Sequence, residues 1–263
     1  FLGWMTIDGL SFYLLWISLL LLLSSALTRK SLPSALGWAL MGAFWLFKPN
    51  HYLELKDYFN VALVLAAGLF CLFMAWTVLR KGFSSRPCYW ASYAAAVCGI
   101  IYFPFALLAP LHDGLINITA QLTIKMLQLF DIPAIMESWN QIALNGSSVE
   151  IILACTAIES IALFAGIILS VEAPLGRRLA ALASSAITIY ILNILRNGFV
   201  LMAYAWSWFG SDSFDIAHNV IAKIGSTIAL LAISYIVFMI LPELLTIIDE
   251  LAAEFKHHGG DAA

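Results

Sequence analysis

Seven long apolar stretches, separated by short polar breaks, dominate the pattern of this chain. A helix that crosses a bilayer needs about 20 predominantly apolar residues. The stretches fall at about Asp8–Leu27, Ser31–Phe47, Tyr58–Leu79, Tyr89–Ala109, Val149–Ser170, Arg178–Trp206 and Asp215–Leu241. The second is the shortest, and the sixth is long enough to tilt. One connection, Leu111 to Ser148, is too polar to span and too long for a plain turn. Within it, Leu115 to Phe130 spaces apolar positions around Asn117, Gln121, Lys125 and Gln128, which predicts an interfacial helix that Pro133 ends. The predicted fold is all-α: a polytopic transmembrane helical bundle of about seven spans, with an outside interfacial helix between spans four and five. No repeat or domain boundary interrupts it, so residues 1–263 are expected to form a single integral-membrane domain.

Composition strengthens this picture. The chain is 62% hydrophobic and 11% charged, where a soluble domain carries about 25% charge. A net charge of -3 gives no basic footprint for nucleic acid. Phe1 to Leu27 lacks a basic leader and an Ala-x-Ala site, so it is not expected to be a cleaved signal peptide. Cys71, Cys88, Cys98 and Cys155 show no CxxC spacing, which argues against a disulfide framework or a zinc site. No metal or other cofactor is expected.

Basic residues orient the bundle. Thr28-Arg-Lys30, Arg80 to Arg86 and Arg177-Arg178 occupy alternate loops, while Lys48 to Asp57 is balanced and Ser211 to Asp215 is acidic. The amino terminus is therefore expected outside and the carboxyl terminus inside. Trp4, Trp90, Trp139, Trp206 and Trp208 lie near span ends, as interface anchors do. Asn117-Ile-Thr119 and Asn145-Gly-Ser147 match the glycosylation acceptor pattern on an outside loop.

Against this apolar background a few polar residues stand out. The motif-bearing core is about 149–241. Ile151-Ile-Leu-Ala-Cys-Thr-Ala-Ile-Glu-Ser160 sets Cys155 and Glu159 four residues apart, on one face if the segment is helical. Arg196 and His218 follow in the next two spans, in Asn193-Ile-Leu-Arg-Asn197 and Ala217-His-Asn219. At 1.5 Å per residue, Cys155 lies about 9 Å and Arg196 about 15 Å below their outer helix ends, and His218 lies within about one turn of the surface. All three then fall in the outer half of the bilayer. Ionisable groups at membrane depth are costly and mark function by default.

The chemistry that suits this set is nucleophilic catalysis by a thiol. A guanidinium near a thiol favours the reactive thiolate. An imidazole can take the thiol proton and return it to a leaving amine. Arg196 could instead stabilise an oxyanion. Glu159 would hold Arg196 in place or compete with the thiolate for it. Asn193, Asn197 and Asn219 are candidate orienting groups. Cys71 and Cys98 are expected to be structural. Lys223, five residues beyond His218 on a regular helix, points to a different face. His51, His112, His257 and His258 fall in loops or the tail and are expected to be solvated.

Ala154-Cys-Thr-Ala-Ile-Glu-Ser160, Asn193-Ile-Leu-Arg196 and His218-Asn219 together resemble the exosortase/archaeosortase family of integral-membrane, transpeptidase-like cysteine enzymes. The family motif often carries Gly where this chain has Ala157. The resemblance implies a protein-sorting enzyme in a prokaryotic cell membrane, with its site toward the outer face. Its expected partners are secreted proteins that end in a short motif, a transmembrane helix and a basic cluster. It also implies Cys155 as nucleophile, Arg196 as thiolate or oxyanion stabiliser and His218 as acid/base. The acyl group would pass to an acceptor, with a membrane lipid one candidate. Leu111–Ser148 is expected to cover the site and limit water, favouring transfer over hydrolysis.

The competing reading is a small-solute or ion transporter or channel that uses Glu159, Arg196 and Lys223. No inverted repeat supports it, and no charged residues continue the path to the inner face. A seven-helix photoreceptor with Lys223 as its Schiff-base lysine is disfavoured, because that lysine sits near the start of its helix. A rhomboid-like serine protease lacks a Gly-x-Ser site with a deep His partner.

Overall fold

The computed structural model describes residues 2–54 and 58–260. Lys56 and Asp57 of the balanced loop, and the side chains of Trp4, His51, His257 and His258, lie outside the described residues. The protein is a polytopic helical membrane protein. Among the described residues, five helices are long and apolar enough to cross a membrane. The other two expected spans are shorter: α2 (Ser31–Leu46) has 16 residues and α7 (Ile158–Ser170) has 13. They reach about 24 and 20 Å, against a hydrocarbon core of about 30 Å.

Phe1–Gly99 and Glu243–Ala263 form one compact unit. In it α1 (Leu2–Thr28) and α4 (Tyr58–Lys81) both pack on α2, and the short α3 (Pro49–Glu54) packs on α4. Small residues let backbones approach where lipid supplies no hydrophobic drive. A Cβ on Gly42 of α2 would lie 3.2 Å from the Gly68 carbonyl oxygen of α4. Buried hydroxyls tie α2 to α5 (Arg86–Leu107). Ser34 and Ser92 Oγ atoms lie 2.8 Å apart, and Trp38 Nε1 donates to Ser92 Oγ at 2.9 Å. Two basic turns meet at one end of the unit, where the Tyr89 hydroxyl donates to the Ala26 carbonyl and Arg29 lies over the Tyr89 ring. Trp90 is buried instead of anchoring at an interface. The helix starts three residues before the expected span, which draws Trp90 inward from the helix end. The amphipathic α11 (Glu243–Gly260) completes the unit's sequence.

Ile100–Pro242 form the second unit. Its elements are α6 (Ala109–Gln128), strands β1 (Ile135–Ser138), β2 (Gln141–Leu144) and β3 (Ser147–Glu150), a 3-10 turn Leu153–Cys155, α7, and α8 (Leu175–Ala205). A short α9 (Ser213–Asp215), a π-helical turn Ile216–Ile221 and α10 (Ala222–Ile240) follow. The central helix is α8, which packs on α6, α7 and α10. Arg178 closes one end: its Nη1 donates to the Leu169 carbonyl at 2.9 Å, capping α7. Beside it, Arg177 Nη1 donates to the Ile240 carbonyl of α10 at 3.3 Å.

The sheet corrects the all-α expectation. Its strands form an antiparallel meander in the order β1-β2-β3. Asn145 and Gly146 turn the second hairpin with φ of +49° and +78°, both positive as a type I′ turn requires. The connecting helix does form, over Ala109–Gln128 instead of Leu115–Phe130. Its apolar stripe of Ile116, Ala120, Ile124 and Leu127 packs into a core with Ile142 and Leu144 of β2 and Leu201 and Ala205 of α8. The stripe therefore meets protein, and the helix and sheet form a cap over one end of α8. The two sequon asparagines are used inside this cap. Asn117 Nδ2 donates to the Trp139 carbonyl and Asn145 Nδ2 to the Ala205 carbonyl. Trp139, Trp206 and Trp208 are exposed.

Candidate active site

The segment Val149–Ser170 does not form a single span. The β3 strand ends at Glu150, and the Ile151 N–H donates to the Asn140 carbonyl at 2.8 Å, tying the chain to the cap. A 3-10 turn over Leu153–Cys155 follows, then Ala157 in the left-handed region at φ +61° and ψ +9°, and only then α7. Cys155 and Glu159 therefore do not share a helical face. The apolar run from Ile151 to Ala157 reads as part of a span because hydropathy alone does not separate a turn packed on protein from a lipid-facing helix.

The Cys155 turn is held from α8. Asn193 Nδ2 donates to the Cys155 carbonyl at 2.6 Å and Asn197 Nδ2 donates to the same oxygen at 2.9 Å. The two asparagines lie one helical turn apart, so both reach one point. Both are buried, where an unmet carbonyl is costly. Together they can satisfy both lone pairs of the oxygen. The Cys155 side chain is half-buried and packs against the cap core.

Arg196 lies on α8 between the two asparagines in sequence. Its Nη2 lies 3.3 Å from His218 Nε2, and its Nη1 lies 3.5 Å from Asn197 Oδ1. His218 sits in the π-helical turn, a local widening that is frequent at functional sites. Its ring stacks on Phe214 at 5.3 Å between centroids and 5° between planes. His218 Nδ1 lies 3.2 Å from Asn219 Oδ1, and Asn219 Nδ2 donates to Asp215 Oδ1 at 3.1 Å.

A cavity of about 680 Å³ opens beside this constellation. Ala154, Ala157 and Glu159 line one side, Asn193 and Arg196 another, and Lys223 of α10 a third. Isoleucine and leucine side chains of α8 and α10 make the rest largely apolar. Such a shape, apolar with a few convergent polar groups, is typical of ligand sites.

Residues 4–240 match the family model described as Transmembrane exosortase (Exosortase_EpsH). The chain belongs to the exosortase family. This exosortase is 29% identical to Archaeosortase A of Haloferax volcanii over 262 residues, spanning 86% of the chain and 84% of that relative. It is 26% identical to Archaeosortase A of Natronomonas pharaonis over 245 residues, spanning 81% and 77%. No solved structure matches it. It is therefore a membrane-embedded protein-sorting transpeptidase, of a family whose substrates are proteins bearing sorting signals.

Within this exosortase, the structure brings Arg196 to His218 and brings Asn193 and Asn197 to the Cys155 backbone. It also brings Asn219 Oδ1 to His218 Nδ1. Glu159 does not pair with Arg196. Its Oε1 instead accepts from the Tyr102 hydroxyl at 3.4 Å, because the left-handed step at Ala157 starts α7 on a different heading. His112 is half-buried with its Nδ1 2.8 Å from Asp113 Oδ1. Lys223 lines the same cavity as Arg196. Sequence reasoning missed Phe214 and Asp215. The signal for both was their position one turn before His218 and Asn219.

Proposed function

We propose that this exosortase cleaves the carboxyl-terminal sorting signal of secreted surface proteins through a Cys155 thioester and passes the acyl group to an acceptor. The observation that carries this reading is the convergence of three sequence-distant motifs. Cys155 is clamped by α8, and the same helix presents Arg196 to His218.

In the first step the Cys155 thiolate attacks the scissile carbonyl and its oxygen takes the negative charge. Arg196 donates to that charge or to the thiolate before attack. The tetrahedral intermediate collapses, the C–N bond breaks, and the leaving amine takes a proton from the His218 imidazolium. The thioester remains. An acceptor nucleophile, an amine or hydroxyl, then gives its proton to His218 and attacks the thioester, which releases the thiolate. A membrane lipid is one such acceptor. In the resting arrangement the Nε2 lone pair of His218 faces Arg196. Proton transfer with the thiol requires Arg196 to release His218, and a developing negative charge draws it away.

The cavity beside the turn is the place for the substrate segment next to the scissile bond. The cap limits water there, so the thioester favours the acceptor over hydrolysis. The alternate basic loops support an orientation with the site toward the outer face.

The test is processing of a co-expressed protein carrying the tripartite tail, comparing wild type with Cys155→Ala and Cys155→Ser. Tail loss with wild type alone supports the thiol mechanism, and the mass of the new carboxyl terminus identifies the acceptor. Equal processing by Cys155→Ala would sink it.

A further inference from the structure

A polar chain runs from the cysteine turn to the surface, and its far end is an acidic residue with no role in the mechanism above. The order is Cys155 carbonyl, Asn197, Arg196, His218, Asn219, Asp215. Its direction is fixed by its members. A guanidinium can only donate, so His218 Nε2 must accept from Arg196. The neutral imidazole then carries its proton on Nδ1 and donates it to Asn219 Oδ1. That turns the Asn219 amide nitrogen toward Asp215, where an ionised carboxylate can only accept. An amide assigned the other way would set two donors against each other at His218 and two acceptors at Asp215.

We propose that Asp215 is a positioning residue of the reaction, which acts through Asn219 to hold His218 in the Nδ1–H tautomer and to stabilise its imidazolium. The proposal rests on the role of His218 given above. The partner on the second ring nitrogen decides which nitrogen is protonated. Here that leaves Nε2, on the Arg196 side, as the atom that takes and returns the proton. When Nε2 is protonated, the carboxylate of Asp215, relayed by the Asn219 amide, favours the cation. Phe214 holds the ring plane, so the hydrogen bonds have to set only its electronics. Glu159 and Lys223 lie in the adjoining cavity, and neither makes a hydrogen bond or ion pair with the His218 ring among the described residues.

The test combines exchange of side chains with a spectroscopic readout, on the full chain in detergent or nanodiscs. Asp215→Ala is expected to lower the processing rate by about tenfold or more, part of the 10²–10⁴ that general acid–base catalysis supplies. Asn219→Asp sets two carboxylates together and is expected to fall at least as far. The double variant Asp215→Asn/Asn219→Asp restores the order of donors and acceptors with the carboxylate one position nearer the imidazole, and is expected to recover to within a few-fold of wild type. A packing role predicts no such recovery. Imidazole 15N shifts of His218 are expected to show Nδ1 protonated in the neutral wild type, with that preference lost in Asp215→Ala. Wild-type rates in Asp215→Ala, an unrescued double variant, or a neutral Nε2–H tautomer would each overturn the proposal. Those results in an enzyme that still needs Cys155 would leave the thiol mechanism standing. Processing by Cys155→Ala would remove that mechanism instead.

Discussion

The guanidinium of Arg196 and the imidazole of His218 meet end to end, Nη2 to Nε2, at 3.3 Å. In the proposed mechanism Arg196 must leave His218 before the imidazole takes a proton, which couples the base to charge arriving in the site. Arg196→Ala is expected to lower the processing rate by about 10²–10³, the scale seen on loss of an oxyanion donor. Arg196→Lys is expected to recover only part of it, since a point charge cannot reach His218 and the neighbouring Asn197 with a planar fork. Single-turnover processing of a tailed substrate measures both. A lysine variant equal to wild type would mean that charge alone suffices.

His218→Ala is expected to cost about 10²–10⁴ in rate, the range of general acid–base catalysis, with the thermal midpoint nearly unchanged. A leaving group that needs no proton, such as an activated thioester analogue of the substrate, is expected to narrow the deficit. A deficit of the same size with both substrates would assign His218 a purely structural part.

The paired amides on the Cys155 carbonyl are expected to behave as a unit. Asn193→Ala or Asn197→Ala leaves the oxygen with one donor and costs about 1 kcal/mol of local stability. The double variant leaves a part-buried carbonyl without either donor and costs more than the sum of the two singles, by about 0.5–3 kcal/mol. Thiol alkylation kinetics report the local effect and thermal melts the global one. Additive losses would show that the two bonds are independent.

Ala157 occupies a left-handed conformation at φ +61°, where a Cβ costs about 1–2 kcal/mol. Ala157→Gly is expected to raise stability or leave it level, with processing kept, because glycine removes that strain at some entropic cost. Ala157→Val is expected to destabilise the turn and slow processing.

Ile142 is buried in the cap core. Ile142→Ala is expected to cost about 2–5 kcal/mol and to loosen the cover over Cys155. The fraction of product released by water, read by mass spectrometry of the new carboxyl terminus, is expected to rise relative to transfer. An unchanged ratio in a folded variant would separate the cap from water exclusion.

Legibility from sequence differed by region. The long apolar helices were legible because composition and length constrain a lipid-facing helix from all sides, and α4, α5 and α8 fall close to their expected bounds. Val149–Ser170 reads as one span because a tight turn followed by a short helix packed on protein has the hydropathy of a span. The sheet had one clear signal, Asn145-Gly146 between alternating residues, which is a hairpin signature as much as part of a sequon. Cys155, Arg196 and His218 stood out because polar groups are rare in such a background. The clamp on the Cys155 carbonyl was partly legible, since α-helical spacing puts Asn193 and Asn197 on one face. The Glu159 pairing failed because it assumed an unbroken helix. Asp215 was hidden among the loop acids, and its tie to Asn219 needs the coordinates of the turn.

The shortness of α7 has one further consequence. Thirteen residues separate the Arg178-capped end of this helix from the cysteine turn, a rod of about 20 Å. The depth of Cys155 is therefore set by a fixed length of protein and not by the lipid around it. Measured from the capped face, a bilayer of about 30 Å leaves the turn immersed, and thicker membranes bury it further while thinner ones bring it toward water. Acyl-chain length becomes an external control on the enzyme: the same sequence should turn over differently in short-chain and long-chain vesicles, with hydrolysis gaining on transfer as the membrane thins.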